Sequence, residues 1–326
     1  MNILPDCAII VFLIAMLAIV GNGSCGLFTA FNLIRKGVDP SLITVIGPSN
    51  RLNAASPNAG AMTNIYAEIP YGTFEDEALK KRFDLVQPSL DAWNDFKQYM
   101  ASLGRNFSYF DGTYIFTNSF TTRSERKNFD YIVNYCKANS IGNDVIDIPS
   151  YINPLPSSDI QSCYWLPDGR FEPSEVIACL ESYLLSLSVK FIDDSVSSLS
   201  PPSLLSRNKF KLSLNSGTLL ESDKVLLANG SFAQNLVDQI SGLKSTQPRL
   251  LYGFGCYLKL FKPDWLKTYP GLGQTLDNYD SVFRTVDRGG ACGLHVVYRP
   301  QEDVFYVGAS SAVSLTPQPD PSVHSS

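Results

Sequence analysis

Gly21, Gly23 and Gly26 stand in the run Gly21-Asn22-Gly23-Ser24-Cys25-Gly26, a G-x-G-x-x-G spacing. With that spacing the first glycine makes a tight turn and the second lets the backbone approach a pyrophosphate. The third lets a helix pack closely on the preceding strand. The free N–H groups and positive dipole of the helix N-terminus then face the phosphates. The chemistry implied is dinucleotide binding, and the plainer alternative is a glycine turn with no ligand. A second group of candidates comes late in the chain: Tyr252, Tyr257, Arg284, Arg288 and His295. An arginine there could hold a carboxylate through two parallel bonds, or simply face solvent from a strand. His295 sits among Leu294, Val296 and Val297, as a core histidine does. Seven cysteines are scattered without C-x-x-C spacing and there are two histidines, so no zinc site is spelled out and no metal is expected.

The glycine spacing carries meaning only between a strand and a helix. Here a short apolar run, Leu17-Ala18-Ile19-Val20, leads into Gly21, and a helical pattern runs from Leu27 to Gly37. Ile43-Thr44-Val45-Ile46 reads as a second buried strand, completing a βαβ unit. A small, polar, glycine-bearing loop follows from Gly47 to Met62. Residues 75–103 carry one helical pattern with Leu79, Phe83, Leu85, Val86, Phe96 and Met100 at core spacing. Residues 107–117 read as a hairpin about Asp111-Gly112. A helix over 124–138 puts Phe129, Ile132, Val133 and Cys136 on one face, and Pro173 opens another helix. Val189 to Val196 reads as one strand, and Phe210–Leu214 with Thr218–Leu220 as a hairpin about Asn215-Ser216-Gly217. A buried strand from Asp223 enters the turn Ala228-Asn229-Gly230, and four strands between 250 and 310 suggest a second, antiparallel sheet.

Several pieces, in order, resemble the D-amino-acid-oxidase-like family of FAD-dependent oxidoreductases. They are the glycine fingerprint and second strand, then Ala55-Ser56-Pro57-Asn58-Ala59-Gly60-Ala61-Met62, then Pro167-Asp168-Gly169 ahead of Pro173, and Asp223 to Gly230. The resemblance implies an α/β fold: a discontinuous Rossmann-like FAD-binding domain over 1–70 and 160–245, and a mainly antiparallel sheet-plus-helix substrate domain over 71–159 and 246–315. It implies FAD as cofactor, held by Gly21, Gly23, Ser24, Cys25 and Gly26 and by the loop Ala55, Ser56, Asn58, Ala59, Gly60, Ala61 and Met62. Ser195, Val196, Ala228, Asn229 and Gly230 complete that set, with Tyr257, Arg284 and His295 toward a small amine or amino-acid substrate. The activity implied is oxidation of a C–N bond by hydride transfer to the flavin.

Two departures stand out. The family ends its second strand in an acid that holds the adenosine ribose, whereas this chain has Gly47, so Ser49 or Asn50 would have to substitute. Arg51 keeps open a different reading, an NADP 2′-phosphate clamp. The family also continues into an R-x-x-x-x-D-G-x-P-x-I-G segment and a last helix aimed at the flavin, and nothing here matches it. The expectation is a chain that holds the ADP half of FAD better than the flavin half, or a nucleotide-binding remnant.

A net charge of −5 and no basic cluster give no footprint for nucleic acid. Thirteen apolar residues from Ala8 to Val20 are too few to span a bilayer. They could form a secretory signal core, but no basic residue precedes them. The expectation is a cytoplasmic protein with reduced thiols and a loose tail over 316–326.

Overall fold

A computed structural model of the chain describes residues 15–51, 54–145, 160–203, 209–240, 249–261, 281–286, 293–299 and 302–314. Cys7, Cys292, Arg288 and the 316–326 tail lie outside the described residues. The chain divides into two compact units, one of residues 1–57 and 180–251, the other of 58–179 and 252–326.

The first unit is built on a parallel sheet. β1 (Leu17–Val20) runs into α1 (Ser24–Arg35), which returns to β2 (Ile43–Ile46). β6 (Lys190–Ile192) pairs with β2, and β10 (Lys224–Leu227) pairs with the other side of β1, giving the order β10-β1-β2-β6. All four residues of β2 are buried, as expected of a parallel strand covered on both faces. α1 buries Gly26, Leu27, Ala30 and Phe31, and Phe31 meets Tyr183 edge to face at 5.7 Å. Beside this sheet lies a three-stranded antiparallel one: β7 (Val196–Ser200), β8 (Phe210–Leu214) and β9 (Leu219–Ser222). Leu199, Leu212 and Leu214 from it share a core with Ala18, Val20 and Ile46.

The second unit holds a seven-stranded sheet ordered β11-β14-β13-β12-β3-β5-β4. Its strands are β3 (Tyr109–Thr117), β4 (Asn143–Asp144), β5 (Ser162–Phe171), β11 (Tyr252–Phe261), β12 (Val282–Arg284), β13 (His295–Arg299) and β14 (Val304–Ser314). All pairings are antiparallel except β12 with β3. Helices α2 (Glu77–Val86), α3 (Ser89–Ser102) and α4 (Arg123–Ala138) accompany it. Phe83, Ile115, Phe129, Ile132 and Leu166 form its main core. The division between units falls within α5 (Pro173–Ser186), and a short α6 (Ala233–Val237) belongs to the first unit. Because β5 pairs with β3, residues 160–179 go with the sheet of the second unit and not with the parallel one.

Three local readings change. The helical pattern over 75–103 is two helices, one ending at Val86 and the next starting at Ser89, because Pro88 has no N–H with which to continue the helical hydrogen bonds. Leu85 and Val86 end up exposed, Leu85 by 80%. Residues 107–117 are not a hairpin. Gly112 takes φ +93° inside β3, where the register against β5 shifts between Asp111 and Thr113, so the glycine makes a bulge. Trp165 explains the choice, because a Cβ on Gly112 would stand 2.3 Å from its Nε1. Val189 to Val196 also divides, into β6 of one sheet and β7 of another, bent at Asp193-Asp194.

α4 starts in a capping box: the Thr122 hydroxyl accepts from the Glu125 amide at 3.3 Å, and the Glu125 carboxylate accepts from the Thr122 amide at 2.7 Å. Thr122→Ala should lower the unfolding free energy by about 1 kcal/mol. A denaturation midpoint unmoved by this change would contradict that role.

Among the described residues no helix is long and apolar enough to cross a membrane. Cys25, Cys136, Cys163 and Cys179 are free thiols. Burial pushes those of Cys136 and Cys163 up to about 12.

Candidate functional site

In open parallel sheets ligands bind beyond the carboxyl ends of the strands, where the winding direction reverses. In the first unit that point lies between β1 and β10, because α1 leads from β1 to β2 on the opposite side. Gly21, Ala228 and the Gly23 turn meet there. Gly21 takes φ +116° and donates its N–H to the Ile46 carbonyl at 2.7 Å. A Cβ on it would stand 2.4 Å from the Ala228 carbonyl oxygen, and one on Gly26 would stand 1.9 Å from the Gly21 carbonyl oxygen. Those two glycines are fixed by backbone contact.

Gly23 differs. It caps α1 in extended backbone, φ −76° and ψ −174°, which any residue adopts. A Cβ there would meet only the Ser56 side chain, 3.1 Å from its Oγ. Ser56 Oγ accepts the Ser24 N–H at 3.1 Å and lies 3.0 Å from Ser24 Oγ. Cys25 is exposed in the first turn. On the β10 side, Ala228 donates to the Val20 carbonyl at 2.7 Å, and Gly230 takes φ +61°. Asn229 Oδ1 is buried with no hydrogen-bond partner among the described residues.

At the end of β2 the missing side chain of Gly47 is replaced in space by Asn22. A Cβ on Gly47 would lie 2.5 Å from Asn22 Cγ, and the buried Asn22 amide donates to the Pro48 carbonyl at 3.0 Å. Ser49 donates its N–H and hydroxyl to Asp193, at 2.7 and 2.8 Å. These bonds hold the Asp193 carboxyl below its usual range. Asn50 lies in the same turn.

Arg51, at φ +48°, donates to the Asn22 carbonyl, the Ser49 carbonyl and Glu181 Oε2, the last at 2.8 Å. That commitment corrects the view of Arg51 as a 2′-phosphate clamp: its charge is spent on Glu181. Ser195 accepts from the Asn215 amide at 2.9 Å, and Val196 opens β7.

In the second unit the loop from Asn58 to Met62 is pinned by backbone. Ala59 accepts from Arg299 at 3.0 Å, Ala61 from the Phe171 amide at 3.2 Å, and Met62 bridges Arg170. Ala61 takes φ +49° to do so. Across the sheet, Tyr257, Gly308, His295 and Arg284 are successive register partners on β11, β14, β13 and β12. Laterally paired residues share a face, so Tyr257, His295 and Arg284 lie in one row. Gly308 makes room in that row for the His295 ring: a Cβ there would come 3.0 Å from His295 Nε2, and one on Gly60 would stand 3.5 Å from the same atom.

Burial, then the nearby Arg284 charge, pushes the His295 imidazole below its ordinary value, against a bond with the Gly293 backbone. It is therefore neutral at pH 7. Arg284 is 2% exposed and ion-paired with Glu68, so it is neither a solvent-facing strand arginine nor an open clamp. The Tyr257 ring lies 4.4 Å from that of Tyr306, tilted by 52°.

Asp193, Glu68, Glu181 and Arg299 shape these surroundings, and none was nominated from sequence. Asp193 alone carried a usable signal, an acid at the end of an apolar strand.

The sequence model of the DAO family, described as FAD dependent oxidoreductase, matches residues 16–324. No curated protein matches the sequence. Among solved structures, the fold is similar to glycine oxidase from Geobacillus kaustophilus, at 15% identity and TM-score 0.66, covering 92% of this chain and 72% of that one. L-proline dehydrogenase from P. horikoshii is similar at 15% identity and TM-score 0.61, with 94% and 72% covered. L-alpha-glycerophosphate oxidase from Mycoplasma pneumoniae, solved with FAD bound, gives 14% identity, TM-score 0.64 and coverage of 93% and 73%.

Proposed function

The chain belongs to the DAO family of FAD dependent oxidoreductases, and from that premise we propose that it oxidises a carbon–nitrogen bond of a small amine or amino acid. FAD is the family's cofactor, and the residues present fit it. The observation that carries the reading is Gly23 at the start of α1, between two glycines that backbone contacts fix, where a Cβ would meet no backbone and only the Ser56 side chain. The unpartnered, buried Asn229 Oδ1 marks the facing turn as a polar site as well.

When bound, FAD supplies the acceptor for a hydride from the substrate carbon. The protein's part is to hold and orient. Gly23 admits the pyrophosphate, and the first turn of α1 offers it N–H groups and positive dipole. Ser24 and Ser56 border that space as hydroxyl donors. In the second unit the pinned Asn58–Met62 loop presents backbone of fixed shape. Neutral His295 and Tyr257, the register partners on either side of Gly308, are the polar residues that would orient a substrate over this row. A neutral imidazole leaves an amine substrate free of a competing positive charge. Arg284 stays with Glu68 and sets the local field, lowering the proton affinity of His295.

Glycine oxidase and L-proline dehydrogenase are named for amino acids, which supports the amine class; glycerophosphate oxidase is named for an alcohol. The test is to purify the chain with added FAD, record flavin absorbance, and screen amines, amino acids and hydroxy compounds with an electron-accepting dye. Flavin retention with bleaching by an amine or amino acid supports the reading. A chain that retains no flavin, or is reduced only by hydroxy compounds, overturns it.

A further inference from the structure

Dinucleotide-binding folds of this type hold the adenosine ribose with an acid at the end of the second strand. Here that position is Gly47, and the volume of its missing side chain is filled by Asn22, 2.5 Å from where a Cβ would stand. No acid can be carried from β2 itself. We infer that Asp193, at the end of the neighbouring strand β6, is the ribose-binding carboxylate of this chain.

The strand ends bring it to the right place. β2 and β6 run parallel with Ile46 opposite Ile192, and Gly47 donates its N–H to the Ile192 carbonyl at 3.1 Å. The residue after Ile192 therefore stands directly beside the residue after Ile46. Its carboxylate is anchored at that level by Ser49, whose N–H and hydroxyl reach one oxygen each at 2.7 and 2.8 Å. A carboxylate offers about four acceptor sites, so roughly two remain for a vicinal diol, the pattern that ribose hydroxyls present.

The neighbouring groups leave this role to Asp193. Asp194 is turned away, bonded to the Ser195 and Ser216 amides at 2.7 and 3.0 Å. Arg51 is tied to Glu181 and holds the Ser49 carbonyl, so it steadies the Ser49 turn from behind. A carboxylate facing the ribose also rejects a 2′-phosphate by like charge, which sets the ligand class as an adenosine nucleotide with a free 2′,3′-diol.

The inference rests on the proposed nucleotide site, and the experiment separates the two. Apo protein is titrated calorimetrically with ADP and with 2′-deoxy-ADP, as wild type, Asp193→Ala and Ser49→Ala. The wild type should bind ADP about tenfold more tightly than 2′-deoxy-ADP. Asp193→Ala should lose about tenfold toward ADP and bind the two alike. Ser49→Ala, which keeps the carboxylate and one of its two donors, should retain a preference for ADP. A preference that survives in Asp193→Ala, or is missing in the wild type while ADP still binds, overturns the role of Asp193 and leaves the nucleotide site standing. Wild type that binds neither nucleotide overturns both.

Discussion

Gly23→Val should abolish tight nucleotide binding while leaving the protein folded. Valine can adopt φ −76° and ψ −174° without strain, and its Cβ meets no backbone, only the Ser56 hydroxyl at 3.1 Å, which a rotation of that side chain can relieve. The branched side chain would then fill the space over the first turn of α1 that a pyrophosphate needs. A loss of about 100-fold in FAD or ADP affinity, roughly 2.7 kcal/mol, is expected. The thermal midpoint of the apo protein should stay within a few degrees of wild type. Gly26→Ala is the contrasting variant. Its Cβ would stand 1.9 Å from the Gly21 carbonyl oxygen, backbone against backbone, and the apo protein should lose about 1–3 kcal/mol or more of stability. Unchanged affinity in a folded Gly23→Val protein would show that the space over Gly23 holds no phosphate.

The glycine spacing already separates these roles, and the approach of the Ala228 and Gly21 carbonyls supplies the distances that fix Gly21 and Gly26. Where a signal is local, sequence sufficed. β1 and β2 are short apolar runs with a glycine turn and a helix between them, and α4 announces itself by Phe129, Ile132, Val133 and Cys136 on one face. The β8–β9 hairpin is set by Asn215-Ser216-Gly217, with Gly217 at φ +86°.

Signals settled by a distant partner were misread. Asp111-Gly112 serves a turn or a bulge equally well until Trp165 and β5 arrive opposite it. The candidate site divides the same way. Gly21, Gly23 and Gly26 are adjacent in sequence, whereas Ser49 meets Asp193 across 144 residues. Arg284 meets Glu68 across 216, and no spacing rule relates such pairs. Tyr257, His295 and Arg284 fall into one row only because Gly308 is paired between the first two.

Asp168→Ala should destabilise the protein by about 3–5 kcal/mol, the largest effect expected of any single change here. The segment from Thr63 to Ile69 lies in no helix or strand, yet Ile65, Ala67 and Ile69 are core residues. Its buried N–H groups need acceptors, and Asp168 supplies them: Oδ1 accepts from Ile65 and Tyr66 at 3.0 and 3.3 Å, Oδ2 from Ala67 at 2.8 Å. Alanine leaves all three donors unmet.

The charge itself acts in the other direction. Burial raises the Asp168 carboxyl to about 6, outweighing the three donors and the nearby Arg284. An unfolded aspartate titrates near 3.8, so between these values the folded protein keeps a proton that the unfolded chain has released. This group's contribution is therefore full below about pH 3.8 and is lost as pH rises through about 6, by roughly 3 kcal/mol in total. Asp168→Asn isolates that loss, since the amide keeps an acceptor but cannot ionise. Urea unfolding at several pH values from 4 to 7 should show the asparagine variant gaining on wild type by that amount as pH rises. Parallel curves over that range would mean that Asp168 does not titrate there. The alanine variant cannot ionise either, so its curve should run parallel to that of the asparagine variant but lower, by the cost of the amides that only alanine leaves unpaired.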